Sequence, residues 1–266
     1  MSEIKNDDIN NILYHISKEI ILPKYQKLNA EDIRSKNNGD LVTSVDIAVE
    51  NKLKKELLKL LPNSLFVGEE SYSKESKILE FYKENKFCWT VDPIDGTTNF
   101  VKGEERFAIM IALTFKEKII QSWIYKPLNE EFSFAILGEG AFINNIKVYN
   151  SKEVNISDST GSISSKYWDK SYDFKINKLR SKFNNANSYR CIGFEYVDIA
   201  KGKRNFTILS KLSPWDHIPG ILLVKESGGI ITHFDKSLYD HTIKKDNLIV
   251  TNSINLLNEI LTIIKE

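Results

Sequence analysis

The chain has 266 residues, with 37 Lys plus Arg against 36 Asp plus Glu, for a formal net charge of +1. Hydrophobic residues make up 41% and charged residues 27%, which excludes a disordered or collagen-like chain. The near balance of charge argues against a strongly basic nucleic-acid binder and leaves only a local patch for such a partner. A chain of this length buries roughly three quarters of its unfolded surface, enough for one large domain or two modest ones. Cys88 and Cys191 are far apart and neither sits in a CxxC, so they read as packed thiols rather than a zinc or disulfide framework. The stretch Met1-Ser2-Glu3-Ile4-Lys5-Asn6-Asp7-Asp8 is polar and lacks the apolar run of a signal peptide. No segment approaches about 18 consecutive apolar residues, so no membrane contact is expected and the expected location is the cytoplasm.

Residues 7–30 read as an amphipathic helix, with Asp7 as cap and Ile9, Ile12, Leu13, Ile16 and Ile20 at helical spacing, kinked or ended at Pro23. A second helix starts near Thr43, because Thr43-Ser44-Val45-Asp46 has the form of a capping box. Ile47, Leu53, Leu57 and Leu60 supply its apolar face, and Pro62-Asn63 stops it. Leu65-Phe66-Val67 and Phe87-Cys88-Trp89-Thr90-Val91 read as buried strands that end in acidic residues. The runs 108–115, 119–125, 132–137 and 141–148, with turns at Gly138, Gly140 and Asn144-Asn145, predict an antiparallel meander. After a polar crossover at 151–160 the rhythm becomes strand and helix. Helices are expected at 193–201 and 216–227, strands at 204–210, 229–234 and 248–251, and a last helix at 253–265 capped by Ser253. Two α/β halves, residues 1–150 and 151–266, packed together are the simplest organisation.

The segment Trp89-Thr90-Val91-Asp92-Pro93-Ile94-Asp95-Gly96-Thr97-Thr98-Asn99-Phe100 carries the strongest chemical signal. A buried strand brings two carboxylates three residues apart into a turn, where Gly96 permits close backbone approach and Thr97, Thr98 and Asn99 are helix-starting types. Carboxylates suit a hard cation such as Mg²⁺, and helix-start N–H groups suit phosphate. Asp-Pro and Asp-Gly are also ordinary turn dipeptides, so this segment alone leaves a plain turn open. Three more acidic clusters stand at element boundaries: Asp40-Leu41-Val42-Thr43-Ser44-Val45-Asp46, Gly68-Glu69-Glu70-Ser71, and Trp215-Asp216-His217 before Glu226-Ser227-Gly228-Gly229.

Taken in order, these four blocks resemble the inositol monophosphatase family of Mg²⁺-dependent, lithium-sensitive phosphatases, over nearly the whole chain. The resemblance implies a layered αβαβα sandwich, a cytoplasmic homodimer and a small-molecule phosphate ester as substrate. It implies two to three Mg²⁺ ions. Glu69, Asp92 and the main-chain carbonyl of Ile94 would hold the first. Asp92, Asp95 and Asp216 would hold the second, with a third, largely hydrated ion near Glu69. Backbone N–H groups of Gly96 and Thr97 would bind the phosphate, and Thr97 and Asp46 would orient the attacking water. Glu70 would support the site from behind, and Lys36 would reach the phosphate or an outer ion.

The substrate-selecting part departs from the inositol pattern. Leu209 stands where an acid seven positions before Asp216 contacts sugar hydroxyls in the family, and a leucine accepts no hydrogen bond. Arg190-Cys191-Ile192-Gly193 replaces a small-residue turn that lies against the substrate. Arg190 either pairs with a second anionic group of a substrate or forms an ion pair with an acid such as Glu195. His217 is expected to face solvent or cap its helix, Trp215 to pack behind Asp216, and the lysines of 175–182 to lie on a solvated helix face. Inositol or another sugar or polyol phosphate is therefore the leading substrate class. A 3′-phosphoadenosine 5′-phosphate or histidinol-phosphate phosphatase of the same superfamily is the alternative, and a non-catalytic metabolite-binding regulator a third reading.

Overall fold

The computed structural model describes residues 4–36 and 39–265, so residues 1–3 of the polar N-terminal stretch lie outside it. Helix α1 (Asn6–Ile16) buries Ile9, Leu13 and Ile16 on one side. Its N-cap is Lys5, and Asp7 lies within the first turn rather than capping it. The helix runs on only through a π-helical turn, Ser17–Ile21. It stops ahead of Pro23, well short of residue 30, because proline has no N–H to continue the ladder. A short antiparallel hairpin that the sequence does not announce follows, β1 (Ile33–Ser35) against β2 (Leu41–Thr43).

Helix α2 (Ser44–Leu60) begins with the expected capping box: Thr43 Oγ1 accepts from Val45 and Asp46 N–H, and the Asp46 carboxylate accepts from Thr43 N–H. Its buried stripe is Val45, Val49, Leu53 and Leu57, while Ile47 and Leu60 are only part-buried. Steps of four residues keep one line of the helix facing inward.

A seven-stranded sheet holds β3 (Leu65–Gly68), β4 (Phe87–Asp95), β5 (Ala108–Phe115), β6 (Lys118–Lys126), β7 (Glu131–Ile136), β8 (Gly140–Ile143) and β9 (Ile146–Val148) in sequential order. β3 runs parallel to β4, and the rest is the antiparallel meander. The run 141–148 splits into two strands at Asn144-Asn145, which take φ of 48° and 63°. Two successive positive φ values match the twist of a tight hairpin, and Asn tolerates them. The short helices α3 (Glu69–Lys74) and α4 (Thr97–Lys102) leave the ends of β3 and β4.

The remaining chain adds β10 (Gly161–Ile163), α5 (Asp173–Arg180), α6 (Ile192–Ala200), β11 (Phe206–Leu209), α7 (Pro214–Glu226), β12 (Ile230–Thr232), β13 (Leu248–Thr251) and α8 (Ile254–Lys265). Its strands form a second sheet in the order β10-β11-β13-β12. Ser253 caps α8 as expected, its Oγ accepting from Leu256 N–H at 3.1 Å.

Three apolar clusters stack these elements into five layers, the αβαβα sandwich. Leu53 and Leu57 of α2, with α1, pack on Trp89 and Trp123 of the large sheet. Tyr196 of α6 and Ile221 and Leu222 of α7 fill the space between Met110 and Ile124 of that sheet and Leu248 and Val250 of the small one. Leu179 of α5 and Leu256 and Ile260 of α8 cover the far face of the small sheet at Ile208 and Ile249. Among the described residues no helix is long and apolar enough to cross a membrane.

Candidate active site

The site is assembled from four element ends. The pairing of β4 with β5 slips between Asp92 and Asp95, so both carboxylates leave the strand near one point. Both are buried, at 2% and 7% exposure. Gly96 then takes φ 86°, and a Cβ there would stand 2.8 Å from Arg106 O. Only glycine satisfies both demands before α4 begins. Asp95 is anchored by Ile192 N–H at 3.1 Å, Gly193 N–H at 2.6 Å and the Cys191 thiol at 2.9 Å. Burial and the adjoining Asp95 carboxylate push the Cys191 thiol well up, so it stays protonated and donates.

The start of α3 presents Glu69 and Glu70. Lys36 Nζ lies 2.6 Å from Glu69 Oε1 and 2.7 Å from Glu70 Oε1. Behind them Glu50 of α2 accepts from Glu70 N–H, Ser71 N–H and Ser71 Oγ–H, each at 2.7 Å. Sequence reasoning missed Glu50. Its only signal was an acid four residues after Asp46, inside a stripe otherwise made of Val45, Val49 and Leu53.

Asp46 is 1% exposed and joins two elements. Thr97 Oγ1 lies 3.0 Å from Asp46 Oδ1 and 3.0 Å from Ile94 O, while Asp46 Oδ2 accepts from Thr43 N–H at 2.8 Å. Burial raises the Asp46 carboxyl to about 6 against the pull of those donors. Asp216, in the first turn of α7, supplies the fourth wall and meets the Asp92 side chain.

Glu69, Asp92, Ile94, Asp95, Gly96, Thr97 and Asp216 all line one cavity of about 790 Å³. Asp46 and Glu70 stand behind that wall, each within electrostatic reach of it. Among the described residues no three His, Cys, Asp or Glu side chains are closed on one point as a finished ligand set. The carboxylates instead stand around the opening and repel one another. Burial, with the neighbouring carboxylates adding to it, drives Asp92 well above the ordinary range and Asp95 to about 6. Glu69 rises to about 8, chiefly by burial, with Asp216 and Glu70 adding to it and Lys36 opposing. Asp216 also rises by burial. Such a donor set, hard anionic oxygens short of positive charge, fits divalent cations.

The substrate-selecting residues separate. Arg190 lines the cavity, whereas Ile192 and Leu209 are not on its wall. Ile192 contributes its backbone N–H to Asp95, and Leu209 is packed among apolar side chains between the sheets. The expected Arg190–Glu195 ion pair does not form. Glu195 lies 2.6 Å from Arg204 Nη1 and accepts from Tyr189 N–H at 2.7 Å, because α6 turns it inward.

His217 is not solvent-facing: it is 3% exposed. Its Nε2 lies 2.8 Å from Lys211 O and its Nδ1 2.9 Å from Tyr196 OH. A carbonyl only accepts, so Nε2 carries the proton and the tyrosine donates to Nδ1. Burial lowers the ring to about 4. Trp215 packs on Tyr72 at 4.9 Å between ring centroids. The basic face of α5 is less solvated than expected, since Lys175 donates to Ile264 O at 2.7 Å and Arg180 donates to Ala186 O at 3.2 Å.

The profile described as "Inositol monophosphatase family" matches residues 6–266. Inositol monophosphatase of Dictyostelium discoideum is 30% identical over 270 residues, covering 98% of this chain and 97% of that protein. Nus factor SuhB of Escherichia coli K12 is 30% identical over 219 residues, 81% of this chain and 80% of that protein. The solved structure of extragenic suppressor protein suhB from Bartonella henselae superposes with a TM-score of 0.84 at 24% identity, over 98% of each chain. With its fold, its order of acidic blocks and its whole-length match in agreement, the chain belongs to the inositol monophosphatase family.

Proposed function

We propose that the protein is a Mg²⁺-dependent phosphomonoesterase that hydrolyses a small phosphorylated alcohol of the sugar or polyol class. Family membership supports a phosphatase, and one observation carries the finer reading: four carboxylates from three different elements face a single cavity. Glu69, Asp92 and the Ile94 carbonyl would hold one ion, and Asp92, Asp95 and Asp216 a second. When bound, such ions neutralise a phosphate dianion and bring the pKa of water toward neutrality.

The chain's own residues do the positioning. Backbone N–H groups of Gly96 and Thr97 hold the phosphate at the start of α4, and Asp95, pinned by three donors, keeps that turn rigid. Thr97 Oγ1 donates to Asp46 Oδ1 and thereby turns its lone pairs toward an attacking water. A proton leaving that water passes through Thr97 Oγ1 to Asp46 Oδ1, whose affinity near pH 6 suits a base working close to neutrality. Lys36 and Glu70 hold Glu69 from the other side.

A regulatory role without catalysis would not need four carboxylates around one opening, two of them, Asp92 and Asp95, buried. The deciding assay is phosphate release from inositol 1-phosphate and other sugar phosphates by the full chain, with Mg²⁺ and after its removal by chelation. Turnover that needs Mg²⁺ is expected, and no release from any ester at saturating Mg²⁺ refutes the proposal.

A further inference from the structure

We infer that the substrate carries a second anionic group besides the phosphate that is cleaved, and that Arg190 is the specificity-determining residue that binds it. The inference rests on the phosphatase reading above and deepens it. Six Lys and Arg residues line the cavity: Lys36, Lys83, Arg190, Lys211, Lys244 and Lys245. Lys36 is committed to Glu69 and Glu70 at 2.6 and 2.7 Å. Lys245 is bound to Asp235 and lies 2.7 Å from Ser237 Oγ. Lys211 touches Asp40 only loosely, at 3.9 Å, and both side chains are nearly half exposed. Lys83 lies 2.7 Å from Glu80. Lys244 and Arg190 have no ion-pair partner among the described residues, and the acid nearest to Arg190 in sequence, Glu195, is bound to Arg204 at 2.6 Å. Of the two, only Arg190 offers a planar fork of donors.

The backbone of Arg190 is held in place, while the residue itself is exposed. Its backbone takes φ 55°, a left-handed conformation uncommon for a residue with a side chain. Its carbonyl accepts from Asn99 Nδ2 at 3.4 Å and lies beside Gly96. The guanidinium therefore springs from a segment tied to the turn between Asp95 and α4, and its side chain forms part of the cavity wall. Meanwhile this segment offers no carboxylate to accept from sugar hydroxyls: Glu195 is engaged, and Leu209 and Ile192 are off the wall. A guanidinium only donates, and its fork matches the paired oxygens of a phosphate or a carboxylate. A neutral polyol gives this exposed guanidinium nothing that water does not, whereas a second anion pairs with it. Lys211, loosely held on the same wall, adds positive charge there.

The test uses matched esters that differ in one anion. Adenosine 3′,5′-bisphosphate is compared with adenosine 3′-phosphate, and 3-phosphoglycerate with glycerol 3-phosphate, each assayed by phosphate release with Mg²⁺. The first pair tests a second phosphate and the second pair a carboxylate. Wild type should prefer the doubly anionic member of at least one pair by roughly 10- to 100-fold in kcat/KM, the range of one charge-assisted contact. The preference should lie in KM, collapse toward unity in Arg190→Gln and return in part in Arg190→Lys, with circular dichroism melts checking that both variants fold. Equal turnover of both members of both pairs overturns the inference while leaving the phosphatase reading intact. A preference that survives Arg190→Gln overturns the assignment to Arg190. If no ester is hydrolysed, the phosphatase reading fails. The same pairs, titrated calorimetrically into the Mg²⁺-equilibrated chain, then decide: equal affinity overturns the inference, and tighter binding lost in Arg190→Gln upholds it.

Discussion

Replacing Glu50 by alanine should separate the support of the site from its chemistry. The Glu50 carboxylate is 3% exposed and accepts three hydrogen bonds, from Glu70 N–H, Ser71 N–H and Ser71 Oγ–H, each 2.7 Å long. In Glu50→Ala the Glu70 N–H is left buried without a partner, while the half-buried Ser71 groups can recover water. One stranded donor costs about 1–3 kcal/mol, and weakened bonds at Ser71 add to that, for a total near 3 kcal/mol. Burial raises the Glu50 carboxyl above its ordinary value, which marks a desolvation penalty and keeps the total at the low end. At roughly 2–4 °C per kcal/mol for a chain of this size, the melting temperature should fall by about 6–12 °C. Because Glu69 begins the same helix, Mg²⁺ affinity should weaken as well. Glu50→Gln keeps an acceptor oxygen and should lie between the two. Thermal melts followed by circular dichroism, with a Mg²⁺ titration monitored by the melting shift, measure both effects. A Glu50→Ala protein melting within about 2 °C of wild type would show that these three bonds do not hold the start of α3.

Asp92→Asn replaces a carboxyl whose ionisation burial and its neighbours oppose, so the metal-free protein should gain melting temperature over wild type as pH rises, while phosphate release falls by at least about 100-fold; a metal-free difference that does not grow with pH contradicts the repulsion argument. His217 is kept neutral in the fold, with its pKa lowered to about 4. Between pH 6.5 and 4 the unfolded chain therefore binds the extra proton, and stability drops on acidification by about 3 kcal/mol at most. His217→Gln should flatten that part of the stability–pH curve relative to wild type in denaturant titrations, and a slope equal to wild type speaks against it. Gly220→Ala places a Cβ 1.8 Å from Tyr196 Cδ2, where α6 and α7 touch. A loss of about 1–3 kcal/mol is expected by urea unfolding, and an unchanged midpoint would mean that the two helices separate freely.

Much of this protein was legible in one dimension because the signals are local. The capping box at Thr43, the meander and its Asn144-Asn145 turn, and the Ser253 cap depend on residues a few positions apart, so the chain announces them directly. The end of β4 was equally readable, since two carboxylates, a proline and a glycine occupy adjacent positions. Helix α1 was read too long because apolar spacing continues past residue 16 while Pro23 shortens the helix.

Other properties arise only where distant segments meet. Glu50 lies 20 residues from Glu70, and nothing near it in sequence announces the N–H groups it accepts from. His217 was placed in solvent because the turn before it is polar, but α6 delivers Tyr196 across 21 positions to bury it. Arg190 and Glu195 are neighbours in the chain and strangers in the fold, since Arg204 reaches the acid first. Local pattern thus determined which carboxylates are present and on which element ends they stand. Tertiary packing alone decided that they share one cavity, how strongly burial lifts their proton affinities, and which cations stand on its wall, because these depend on distances across layers that no spacing along the chain encodes.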